Sequence, residues 1–346
     1  MWRRGRDVSS TSHPAWSPDP GLLQPASSKE VLQWVESGRL PPVEALGHLR
    51  RLKSEAALTK ATTRSTAGDL VASALAELDD LIGLQPVKAL VRELKAFVDI
   101  QARRQEAGLK SDQHALHMVF TGSPGTGKTT VARIVARLLQ GLGVLARGHL
   151  VEAERADLVG EYIGHTAQKT RELIRRALGG VLFIDEAYSL ARGGEKDFGR
   201  EAIDGLVKAM EDLRGQLVII LAGYPVEMQW FLATNPGLRS RIALHVHFPD
   251  YTPQELVAIA RHMVREREYA LSREAELELA RFLEQQRDRL PIHSGNARWV
   301  RNLLERAIRR QAVRLSQHGG PFSREALMTL TWNDLDPQGG GLWRPS

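Results

Sequence analysis

The chain has no cysteine among its 346 residues, which excludes disulfides, thiol nucleophiles and Cys-ligated zinc. It has no long apolar run. The longest, such as Leu217 to Ala222, falls far short of a bilayer, so membrane insertion is not expected. No aromatic stacking platform and no base-reading module can be identified. Charge of neither sign dominates, since 47 Lys and Arg face 41 Asp and Glu for a net +6. That balance reads as an arginine-rich solvated surface, with a nucleic-acid partner as the alternative it leaves open. Arg3, Arg4 and Arg6 precede a Ser/Pro-rich stretch instead of an apolar segment, so no signal peptide is read and a cytoplasmic protein is expected.

What is present is ordinary globular composition, 42% hydrophobic and 25% charged, in a chain long enough for two domains. Residues 1–28 read as a disordered tail. Residues 29–77 read as a helical N-terminal segment and linker: two short helices broken at Pro41-Pro42, carrying Trp34, Leu46, Leu49 and Leu52, then a polar linker from Thr59 to Gly68. Strands are expected at 116–121, 149–153, 181–185, 217–222 and 243–248, alternating with helices at 128–140, 166–178, 200–213 and 225–233. Short buried strands alternating with helices imply a parallel sheet covered on both faces. Beyond Pro249-Asp250 only helical patterns follow, at 253–268, 272–287, 296–316 and 323–330. An α/β domain over 78–250 and an all-α lid over 251–335 are therefore expected, with a flexible tail at 336–346.

The most specific motif is Gly122, Ser123, Pro124, Gly125, Thr126, Gly127, Lys128, Thr129, followed by Thr130. It stands between an apolar strand and an amphipathic helix, the setting of a Walker A phosphate loop. Its glycines let the backbone wrap a phosphate, and the helix start favours a polyanion. Lys128 is expected on the β/γ-phosphates and the Thr129 hydroxyl on Mg²⁺. Val181 to Ile184 then runs into Asp185 and Glu186, a Walker B pattern. Asp185 is placed to support Mg²⁺, and Glu186 to orient and deprotonate an attacking water. Arg239 and Arg241 are candidate arginine fingers. Being far in sequence from the loop, they would act on a neighbouring subunit's nucleotide. A surface loop with exposed arginines is the equal alternative. Gly295-Asn296-Ala297-Arg298 opens an amphipathic helix. Arg298 is singled out there, while Arg301, Arg306, Arg309 and Arg310 are taken as a solvated basic face.

Together these motifs resemble the AAA+ ATPases. The segment from Glu152 to Thr170, that from Ile184 to Gly194, Ala222-Gly223-Tyr224 and Asn235-Pro236-Gly237-Leu238 are similar to one branch of the family. That branch holds stage V sporulation protein K and the red-type Rubisco activases; of the two, the sporulation protein is the better match. The resemblance covers roughly 78–335. It implies an ATP- and Mg²⁺-dependent hydrolase with a five-stranded parallel P-loop fold and a helical lid, working as a homo-hexameric ring. It also implies that Arg241 is the finger acting in trans, with Arg239 beside it. Arg298 would be the lid arginine on the γ-phosphate of its own subunit, and Ile82-Gly83 would pack on adenine. Where many members end the fourth strand in Asn, Ser or Thr, this chain has Ala222-Gly223-Tyr224.

Tyr162, Ile163 and Gly164 resemble the pore loop of protein-threading rings. On the residues alone, Tyr162 reads equally as a packed core residue or as an exposed grip on a polypeptide. Gly160 and Gly164 would let that loop move. A second loop, Arg192 to Phe198, reads as a lower channel lining or a plain connector. Three functions compete: a protein remodeller acting on an unidentified client, a nucleic-acid motor or loader, and a nucleotide-gated scaffold. The expected partner is a protein, not nucleic acid. A role in spore maturation is implied, with an inhibited Rubisco as the other client.

Overall fold

The computed structural model describes residues 25, 27–110, 115–162, 164–192, 197–285, 295–318 and 321–335, excluding side chains of 54–66 and 318. It divides into two units, residues 1–65 and 66–346. In the first, helix α1 (Ser28–Glu36) is capped by Ser27, whose hydroxyl accepts from the Glu30 N–H at 3.2 Å. The chain breaks before Pro42, where helix α2 (Pro42–Asp80) begins. Val31, Leu40 and Ala45 are buried there, with Trp34, Val35, Leu49 and Leu52 packed around them. Leu46 is exposed. The polar stretch Thr59 to Gly68 is helical, not a linker. Polarity does not break a helix, and residues 59–67 contain no proline or glycine. Nearly all of the expected N-terminal tail, and all of the C-terminal one, lies outside the described residues.

In the second unit helix α3 (Gln85–Glu106), absent from the sequence reading, leads to strand β1 (Met118–Gly122). Then come α4 (Lys128–Gly141), β2 (Leu150–Ala153), α5 (Arg155–Leu158), α6 (His165–Ala177) and β3 (Val181–Ile184). A 3-10 turn (Ala187–Ala191) precedes α7 (Gly199–Asp212), β4 (Val218–Gly223), α8 (Pro225–Thr234), α9 (Pro236–Arg239) and β5 (Leu244–Phe248). The five strands form one parallel sheet in the order β2-β3-β4-β1-β5. Side chains alternate between its faces. Met118 and Phe120 of β1, with Val181 and Phe183 of β3, join α3 and α4. Val119, Leu182 and Ile184 join α6, α7 and α8. Both faces are covered, so β3 and β4 are apolar throughout.

The lid contains α10 (Pro253–Glu266), α11 (Arg273–Gln285), α12 (Asn296–His318), α13 (Arg324–Met328) and α14 (Trp332–Leu335). It is not wholly helical. Strands β6 (Ala270–Leu271) and β7 (Thr329–Leu330) pair in parallel, and this ends α13 at Met328 instead of Leu330. Buried Asp334 ties α14 to α12 through a two-bond pair with Arg314, at 2.9 and 2.8 Å.

His117, just before β1, is 1% exposed and fully bonded. Its Nδ1 accepts from the Ile219 N–H and its Nε2 donates to the Met210 carbonyl, both at 3.1 Å. Burial holds its pKa below 6.5; the Met210 bond opposes this and Arg214 adds to it. A depressed histidine contributes stability that is complete above the unfolded value and is lost as pH falls through the folded one. Thermal melts should therefore show wild type losing more stability between pH 7.5 and 5.0 than His117→Gln. Equal losses would remove His117 as the source.

Candidate nucleotide-binding and catalytic site

Parallel strands bring all their C-terminal ends to one edge, and the site lies there. The loop from Gly122 to Gly127 leaves β1 in the interior of the sheet. Gly125 has φ +72, and a Cβ there would lie 2.1 Å from the Gly295 carbonyl, so only glycine fits between loop and lid. Lys128 opens α4, and its Nζ donates to the carbonyls of Gly122 and Ser123, both at 2.9 Å. Burial draws its pKa below the usual lysine value, and the Asp185 carboxylate opposes that most strongly. Thr126 is fully buried and braces the loop by donating to the Ser123 carbonyl at 2.8 Å.

Two strands away, β3 delivers Asp185 and Glu186 to the same edge. Glu186 takes φ +45, which costs a non-glycine residue roughly 1–3 kcal/mol. The 3-10 turn that follows, with Ala187, Tyr188 and Leu190 buried, holds it there. Its N–H donates to Asp185 Oδ1 at 3.0 Å, which orients that carboxylate.

A cleft of about 430 Å³ joins these groups. At its polar end stand Pro124, Gly125, Gly127, Lys128, Thr129, Thr130, Asp185, Glu186 and Arg298. Tyr224, at the end of β4, lines it too. Burial and the Glu186 carboxylate raise its pKa, so the phenol remains a proton donor. Arg301 also lines the cleft, one turn beyond Arg298, correcting its assignment to a solvated face.

The other end is apolar, with Leu81, Ile82, Leu84, Tyr251, Ile259 and Met263, and His262 beside them. Of these only Ile82 was singled out from sequence. Gly83, Ser123 and Thr126 do not line the cleft; Gly83 forms the turn beside Ile82, at φ +66. Buried Lys88 fixes that turn by donating to the carbonyls of Asp79 and Leu81. Ile259 and Met263 are four residues apart on α10, a helical spacing visible in the sequence. Nothing in the sequence marked Tyr251, whose pKa burial pushes up to about 12.

Arg239 and Arg241 lie outside their own chain's cleft. Arg241 donates to the Gly237 carbonyl at 3.1 Å, and its Nε lies 3.3 Å from the Glu211 carboxylate. Tyr162 is 66% exposed, which removes the packed-core reading; its ring meets His165 edge-on at 5.4 Å. Gly164, at φ +83, caps α6. Gly160 is no free hinge. It is buried, it donates to Thr166 Oγ1 at 2.9 Å, and a Cβ there would lie 2.4 Å from that of His165. Ile163 and residues 193–196 of the second loop lie outside the described residues.

Two family models match the chain in succession. One, described as ATPase family associated with various cellular activities (AAA), matches residues 118–250; the other, AAA lid domain, matches 252–341. The chain belongs to the AAA ATPase family. Stage V sporulation protein K of Bacillus subtilis is 54% identical over 260 residues, 75% of this chain and 80% of that protein. The chloroplastic ribulose bisphosphate carboxylase/oxygenase activase of Cyanidioschyzon merolae is 49% identical over 264 residues, 75% of this chain and 89% of that one. A solved mutant of RuvB from Thermotoga maritima aligns with TM-score 0.48 at 20% identity, covering 75% of this chain and 70% of that one.

This AAA ATPase therefore hydrolyses ATP. Lys128→Ala should weaken nucleotide binding about 10- to 100-fold, the worth of a charge-assisted contact, in a fluorescent-nucleotide titration. Glu186→Gln should bind normally yet turn over roughly 10²- to 10⁴-fold more slowly. Unchanged turnover would exclude Glu186 as the base.

Proposed function

We propose that this ATPase remodels a protein client by drawing it through the central pore of a cytoplasmic homo-hexamer. The observation that carries this reading is Tyr162. A large aromatic side chain stands exposed at the tip between α5 and α6, its ring meeting that of His165 edge-on and backed by the capped helix α6. An exposed tyrosine grips peptide by apolar and hydrogen-bonding contact without demanding a sequence.

Lys128, Thr129, Asp185 and Glu186 act on the subunit's own nucleotide in this reading. The Thr129 hydroxyl and the Asp185 carboxylate are hard oxygen donors, a set that suits Mg²⁺ held jointly with substrate phosphates. When bound, the ion neutralises charge on the phosphates. Lys128 and Arg298 hold the phosphates, and Glu186 takes the proton from the attacking water. Arg241 does not line its own cleft, which supports a finger completing the neighbour's site, with Arg239 beside it. Spore maturation is the role that the sporulation relative suggests. The carboxylase activase relative, nearly as similar, favours an inhibited carboxylase as the second reading.

Arg241→Ala should lower ATP turnover on the order of 10³-fold, the worth of an arginine finger. Mixing it with Lys128→Ala subunits should restore activity, because each mutant supplies what its neighbour lacks; no rescue at any ratio would exclude a finger in trans. For the client, Glu186→Gln held in ATP is isolated from its native cell beside the same protein carrying Tyr162→Ala. A polypeptide retained only with Tyr162 supports threading. Nucleic acid, or partners indifferent to Tyr162, would overturn it.

A further inference from the structure

Three consecutive carbonyls of the phosphate loop are taken by groups from the lid or from the junction leading to it. Pro124 O accepts from Asn296 Nδ2 at 3.4 Å, Gly125 O from the Ala297 N–H at 3.2 Å, and Thr126 O from the Tyr251 hydroxyl at 3.3 Å. Asn296 is the centre of this arrangement. It is 4% exposed and its amide is used at both ends: Oδ1 accepts from the Tyr251 N–H at 3.0 Å, and Nδ2 donates to Asp250 Oδ1 at 2.8 Å. It sits at φ +43, a conformation that asparagine tolerates better than most residues. One side chain thus joins the loop, the end of the α/β domain and the first turn of α12.

Arg298 lies two residues further along α12. A Cβ on Gly125 would lie 2.8 Å from the Arg298 N, so loop and helix start are in contact with no slack. Lid and loop cannot shift independently without breaking these bonds.

We infer that Asn296 is a positioning residue: by fixing the start of α12 to the phosphate loop, it sets Arg298 against the terminal phosphate and carries the enzyme's discrimination between ATP and ADP. This rests on the reading of Arg298 as the γ-phosphate contact. Asn296 does not line the cleft and works through the arginine.

The test is a set of titrations with ADP and a non-hydrolysable ATP analogue on the full chain. It compares wild type, Arg298→Ala, Asn296→Gly and the double variant. Glycine keeps the positive φ and removes only the side chain. Asn296→Gly should lose about 10-fold of the ATP-over-ADP preference, within the usual range of coupling between sites, while ADP affinity stays within about threefold. The double variant should lose no more than Arg298→Ala alone, because both changes remove one interaction. If Asn296→Gly does not fold, Asn296→Ser carries the same test, since it adds no charge beside Asp250 and is too short to make the amide's bonds to Pro124, Asp250 and Tyr251 together. A uniform fall in both affinities with the ratio intact, or losses that add in the double variant, would overturn the inference. Preference lost in Arg298→Ala but kept in Asn296→Gly also sinks it and leaves the arginine's role standing. Preference kept in Arg298→Ala sinks the γ-phosphate reading itself, and the inference with it.

Discussion

Everything at this site depends on the placement of one loop. Gly122 to Gly127 leaves β1 between β4 and β5, and it is wedged on both sides. A Cβ on Gly122 would lie 2.5 Å from the Phe248 carbonyl, and one on Gly125 would lie 2.1 Å from that of Gly295. The sheet therefore meets the loop at one end and the lid at the other. Because the strands are parallel, Asp185, Glu186 and Tyr224 emerge at the same edge as Lys128 without any special loop to carry them. The arrangement is a consequence of strand order: β4 lies between β1 and β3, so its terminal tyrosine falls between phosphate loop and carboxylates.

The same geometry sorts the cations. Lys128, Arg298 and Arg301 line the cleft and would meet the negative charge of a nucleotide with little water between. Two carboxylates face them, and Asp185 is the strongest influence opposing the burial of Lys128. Arg241 belongs to a different environment, beside Glu211 on α7. A cation that lies outside its own cleft cannot stabilise the reaction there. In the proposed reading its charge becomes useful where a second subunit brings a cleft to it.

Much of this was legible in the sequence, and the failures have physical causes. The inner strands were readable because buried parallel strands are apolar on both faces, and the edge strands β2 and β5, which carry Glu152, His245 and His247, because they end at acidic residues or proline. The phosphate loop and Asp185-Glu186 were readable because their chemistry needs particular residues at fixed local spacing. Helix α3 was missed although Val87, Val91, Leu94 and Val98 carry a plain helical period. The extent of α2 is hidden for a different reason: a polar composition resembles a linker, yet the residues of 59–67 are compatible with a helix. The β6-β7 pair could not be read, because two residues have no periodicity and the pairing exists only once the lid has folded. Tyr251, His262 and Arg301 reach the cleft from elements distant in sequence from the loop. Which face of α12 lines the cleft is settled by the docking of Gly295 on Gly125, and no local pattern encodes that.

The segment that leads to exposed Tyr162 and the turn that follows Glu186 are joined through Arg155. Arg155 begins α5, the element that leads into Tyr162. Its Nη1 donates to the Ser189 carbonyl at 2.6 Å, inside the 3-10 turn that follows Glu186. Its Nη2 donates to both oxygens of Asp197 at 2.8 Å, and that carboxylate accepts the Gly199 N–H that opens α7. Arg155 therefore spans the segment before Tyr162, the turn after Glu186 and the start of α7. A planar guanidinium bonded on two sides resists rotation more than a lysine ammonium would. Gly160, packed against His165 and bonded to Thr166, adds no compliance on the same side. At the tip, Glu161 and Tyr162 are exposed, with the Tyr162 carbonyl accepting the His165 N–H at 3.1 Å, and the base beneath them is bonded to the turn after Glu186. Between Tyr162 and Glu186 lie the backbone from Arg155 to Tyr162 and the turn in which the Ser189 N–H donates to the Glu186 carbonyl at 2.8 Å.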